Sequence, residues 1–110
     1  MTTTTSPETQ DKLQQIRALI SATSTQLLDH PVALDRAPDL LDLHVAEGQV
    51  RLHLDPAHQD ALDVLVTDRP AVLLGEALDL MDTLPESDRA ALHAVHVVLT
   101  RAADWAGDVA

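Results

Sequence analysis

Apolar positions near the start of the chain fall at Leu13, Ile16, Ile20, Thr23 and Leu27, in steps of three and four. That spacing keeps side chains on one face of a helix turning every 3.6 residues. Thr5-Ser6-Pro7-Glu8 predicts where the helix begins: a hydroxyl cap, Pro in the first turn, and Glu three residues after Thr5. His30-Pro31 predicts where it ends, because the residue before Pro is pushed out of the helical region. Leu19 and Leu28 widen the stripe, and the weak helix formers from Ser21 to Thr25 predict a bend or fraying. The seam Leu13, Ile16, Ile20, Leu27 has two readings. It packs inside its own domain, or it forms one side of a homodimer.

Residues 31–39 hold two prolines and read as a loop with at most one helical turn. The pattern then changes period. Leu41, Leu43 and Val45 alternate with Asp42, His44 and Ala46; after Glu47-Gly48, Val50, Leu52 and Leu54 alternate with Arg51 and His53. A period of two predicts strands, and Glu47-Gly48 the turn of a β-hairpin. In that register Val45 faces Val50, Leu43 faces Leu52 and Leu41 faces Leu54. The other face pairs His44 with Arg51 and Asp42 with His53, a polar patch suited to a ligand carboxylate or to ordinary cross-strand pairing. A lone hairpin is marginal in water, so its apolar face is expected against helices. Two copies joined edge to edge would give a four-stranded sheet.

Asp55-Pro56 is another start signal. Residues 56–67 read as a short helix with Leu62, Leu65 and Val66 inward, or as a third strand through Leu62, Val64 and Val66. Thr67-Asp68-Arg69-Pro70 opens a helix with Val72, Leu73, Ala77, Leu80, Met81 and Leu84 set against Glu76, Asp79 and Asp82. A last helix is expected from Pro85 to Trp105, with Gly107 as its stop. The expected fold class is therefore α+β and helix-dominated: a long N-terminal helix, a two-stranded β-hairpin, and three further helices packed on it. Residues 1–5 are expected to form a disordered tail, 6–106 a single compact domain, and 107–110 a C-terminal tail.

Composition narrows the chemistry. The chain has no Phe, Tyr or Cys, and Trp105 is its one aromatic residue, so the core is aliphatic. Without Cys there are no disulfides, thiolate metal sites or thiol nucleophiles, which fits a reducing compartment. Residues 1–6 carry neither the basic nor the apolar region of an export signal, and no apolar run reaches membrane-span length. A cytoplasmic location is expected. The net charge is −11, with 14 of the 18 acidic residues being Asp. Seven dispersed basic residues cannot neutralise a row of phosphates, so neither direct nucleic-acid binding nor anionic-membrane binding is expected. The acidity reads as a surface for a basic partner, as compositional bias, or as salt adaptation.

The order long helix, hairpin, Asp-Pro, helix is similar to that of the YbaB-type nucleoid-associated family, through the helix at 11–28 and Gly48-x-Val50 leading to Asp55-Pro56. That family's sheet has a third strand, the C-terminal helix has no counterpart there, and a charge of −11 is at odds with compacting DNA. The sequence is therefore not assigned to it.

Few residues suggest a reaction or a ligand. Arg89, His93, His96, Thr100 and Asp104 share a polar stripe at helical spacing. His93 and His96 could hold a metal with a carboxylate from elsewhere, or could simply be the wet side of an amphipathic helix. Asp39 with Asp42, Asp60 with Asp63, and Asp79 with Asp82 are pairs three apart, as an Asp-rich chain produces by abundance. Glycine-rich phosphate loops and nucleophile elbows are missing from the sequence. No cofactor is expected. The expectation is a small acidic non-enzymatic interaction protein, dimeric, that binds a basic protein partner as a nucleic-acid mimic or adaptor. The alternative is a metal- or small-ligand-binding protein using the His/Asp stripe of the last helix.

Overall fold

The computed structural model describes residues 7–55 and 69–107, and every regular element among them is helical. Helix α1 spans Pro7–Leu28, α2 Ala37–Leu52, α3 Pro70–Asp82, α4 Glu86–Ala91 and α5 His93–Ala106, and a 3-10 turn at Pro31–Leu34 joins α1 to α2. The 1–5 tail and the helix or strand at 56–67 lie outside the described residues, as do residues 108–110 of the C-terminal tail.

Four of these helices form a ring, in which α1 packs on α2 and α3, and α5 packs on the same two. Their directions follow from which ends meet. Gln10 of α1 bonds the chain just past α2, Lys12 Nζ donates to the Thr83 carbonyl just past α3, and Arg36 at the start of α2 lies over Trp105 at the end of α5. Helices α1 and α5 thus run one way and α2 and α3 the other, each parallel pair on a diagonal of a four-helix bundle.

Helix α1 is buried on a wide stripe because it has two neighbours. Leu13, Ile16, Ile20 and Leu27 are at most 1% exposed, with Ala18, Leu19 and Ala22 beside them. Burying a leucine this fully stabilises the fold by roughly 1.5–3 kcal/mol relative to leaving it in water. The expected bend at 21–25 is not a break, and the helix continues to Leu28. The Thr23 hydroxyl, itself buried, donates to the Leu19 carbonyl at 2.7 Å, and Thr25 does the same to Ser21 at 3.0 Å. Each polar group is satisfied one turn back.

The expected β-hairpin over 41–54 is not formed, and the α+β class is corrected to all-helical among the described residues. Leu40, Leu43, Ala46 and Val50 face the core from α2 at helical spacing. The presumed turn residue Gly48 sits inside the helix, and no residue of the described chain has positive φ. Only Val45 and Val50 in this helix are β-branched, while Leu, Ala, Gln, Glu and Arg favour helix. Asp39 in its first turn and Arg51 in its last have the signs that suit the helix dipole. Helix α2 also starts inside the expected 31–39 loop, with Pro38 in the first turn, where a missing N–H costs nothing.

The last expected helix is divided. Leu92 ends α4 and precedes α5 with ψ near 19°, although the Leu92 N–H still bonds Asp88 and its carbonyl still accepts from His96. No Pro or Gly marks this break, which is why the sequence read as continuous. Gln10 closes the far end of the bundle. Its buried amide donates to the His53 carbonyl at 3.0 Å and accepts from the Asp55 N–H at 2.9 Å, satisfying two backbone groups at the end of α2.

Candidate functional site

The feature best suited to contact another molecule is a groove between the end of α1 and the start of α2. Ser24 and Leu28 of α1, Ala33 of the 3-10 turn, and Ala37, Leu40, Leu41 and His44 of α2 line a cavity of about 370 Å³. That volume lies within the range of sites that hold small apolar groups. The groove exists because small side chains stand where the two helices separate. Ser24, Ala33 and Ala37 leave space, while Leu28 and Leu41 stand at its edges 64% and 62% exposed. Leucines this exposed on a shared concavity differ from singly scattered surface apolar residues.

Two polar groups mark the groove. The Ser24 hydroxyl oxygen is buried without a hydrogen-bond partner among the described residues. His44 is largely exposed, with Nδ1 4.0 Å from Glu47 Oε2. Glu47 Oε1 in turn accepts from Arg17 Nε at 3.4 Å, a half-buried pair that ties α1 to α2. Asp29 follows the edge leucine Leu28 in sequence and is exposed. Asp42 lies on the other flank of α2, beside Asp39, Arg101 and Trp105.

The predicted polar patch is not brought together. On a helix His44 and Arg51 lie seven residues apart, and Asp42 and His53 eleven, so about 10 and 16 Å of axial rise separates the members of each pair. His53 Nδ1 instead lies 3.0 Å from the Gln49 carbonyl. His93 is exposed at the first position of α5, and His96 Nε2 lies 3.7 Å from Asp82 Oδ1 of α3. Among the described residues no group of three His, Cys, Asp or Glu side chains is placed to hold a metal ion. Of the acidic pairs, Asp39 is engaged by Arg36 at 3.4 Å, and Asp60 with Asp63 falls outside the described residues.

The residues of the candidate dimer seam, Leu13, Ile16, Ile20 and Leu27, are at most 1% exposed within their own chain. The sequence did not reveal the groove, because its lining comes from three short segments whose small residues carry no periodic signal. No described helix is long and apolar enough to cross a membrane. No protein-family model matches the chain, and neither a curated protein nor a solved structure is significantly similar to it.

Proposed function

We propose that this chain is a non-enzymatic interaction protein of the cytoplasm whose acidic surface attracts a basic protein partner and whose α1–α2 groove seats an apolar side chain of that partner. The observation that carries this reading is an apolar concavity edged by two largely exposed leucines on a chain of net charge −11. Long-range attraction speeds encounter with a cationic surface, and a buried apolar anchor supplies affinity that charge alone does not. The absence of Cys supports a reducing compartment.

Affinity capture from a cell lysate tests it, at about 0.15 M and about 1 M salt, where the screening length falls from about 8 to about 3 Å. The reading expects basic proteins to be retained at the lower salt and released at the higher. It expects Ala37→Phe, which fills the groove from an exposed position, to retain markedly less at low salt. Retention of nothing at either salt, or equal retention by the filled variant, would remove its support.

A further inference from the structure

The α1–α2 groove is closed at one end by the connection that carries the chain from Leu28 to Ala37. The charge at that end is one-sided. Asp29 and Asp35 are exposed, and neither carboxylate has a hydrogen bond or ion pair among the described residues. The cations nearby are already engaged. Arg36 lies over the Trp105 ring and 3.4 Å from Asp39, on the other flank of α2. Arg17 is held by Glu47 at 3.4 Å. His30 Nδ1 accepts from the Val32 N–H at 3.1 Å, a bond that only a ring without a proton on that nitrogen can make. At the other end of the groove His44 stands near Glu47. Uncompensated negative charge is therefore concentrated where the connection closes the groove.

Size and shape narrow the occupant further. A cavity of about 150 Å³ lined by aliphatic groups is enough to hold a benzene ring, whereas the groove measures about 370 Å³. It is larger than one apolar side chain fills. Neighbouring turns of a helix place two side chains on one face, about 5–6 Å apart, and an apolar groove is a common seat for such a row. We propose that the occupant is an amphipathic helix of the partner, with two apolar side chains spaced i and i+4 in the groove and Lys or Arg one turn beyond them, over Asp29 and Asp35. The proposal rests on the groove reading above and narrows it. The apolar pair supplies affinity by covering Leu28 and Leu41. The attraction that orients the partner comes from two local carboxylates, not from the −11 surface as a whole.

Fluorescence anisotropy of labelled synthetic helical peptides against the full chain is the test, at about 0.15 M salt, where the screening length is about 8 Å. One peptide carries a leucine pair followed by three lysines. A second replaces the lysines by glutamates, and a third replaces the leucines by alanines. The first is expected to bind, and each of the others at least about tenfold more weakly, having lost either its anchors or its complementary charge. Asp29→Asn with Asp35→Asn should weaken the first peptide about threefold to tenfold, as the loss of two exposed charge pairs. Glu76→Gln with Asp79→Asn removes the same charge from the exposed side of α3, diagonal to α2, and should change affinity by less than about twofold because of screening. Circular dichroism checks that each variant keeps its helices. No binding of the first peptide, tolerance of the glutamates or of the alanines, or equal losses in the two acid-to-amide variants would overturn the proposal. The groove reading keeps its own test. Capture from lysate that Ala37→Phe abolishes supports the groove even if these peptides do not bind.

Discussion

The two sides of helix α2 are nearly equal in apolar content and opposite in fate. Leu40, Leu43, Ala46 and Val50 point into the bundle and are at most 7% exposed; Leu41, Val45 and Leu52 point away and are at least half exposed. Hydrophobicity by itself therefore does not decide burial here. The inner side is fixed by its neighbours: α1 supplies Arg17 to Glu47 and Gln10 to the end of the helix, and α5 supplies Trp105 to Arg36. The outer side has no such anchor within the chain's described residues.

Substitutions should separate the two sides. The largest loss is expected from Leu43→Ala, which opens a cavity at a fully buried position and should cost about 2–5 kcal/mol in denaturant unfolding. Gln10→Leu comes next. It leaves the His53 carbonyl and the Asp55 N–H without their side-chain partner, and should cost about 1–3 kcal/mol by the same measurement. Arg17→Met removes one member of a half-buried pair while keeping most of the apolar stem, and about 1 kcal/mol is expected once solvent screening is allowed for. On the outer side the sign reverses. Gly48→Ala should stabilise the monomer by about 0.5–1 kcal/mol, because it occupies open space inside a helix. Leu52→Gln should change monomer stability by less than about 0.5 kcal/mol, measured at protein concentrations too low for association. A loss at Leu52 comparable to that at Leu43 would erase the contrast.

The same two stripes explain why the sequence misled at this helix. Taken together, an inner set at Leu43 and Val50 and an outer set at Leu41, Val45 and Leu52 interleave into apparent alternation, which imitates a strand pair around Glu47-Gly48. The inner spacing Leu40, Leu43, Ala46, Val50 was also in the sequence, but Ala46 is small enough to have been counted with the polar positions. In α1 one broad stripe stood alone, and the helix was legible from Pro7 to Leu28. Helix α3 was legible for the same reason, with its start at Pro70 and Leu73, Ala77 and Met81 inward. The groove was not, because a concavity depends on where small residues from separate elements converge. The separation of His44 from Arg51 followed directly from the wrong period.

The arrangement of Arg36 over the Trp105 ring, 5.2 Å from its centroid, gives the molecule a built-in optical reporter. With no tyrosine or phenylalanine to add background, intrinsic fluorescence comes from a single indole at the junction of α2 and α5. A melting curve followed by emission therefore tracks that corner alone, whereas circular dichroism averages over all the helices. Any offset between the two curves would measure how far undocking of α5 precedes the loss of the remaining structure.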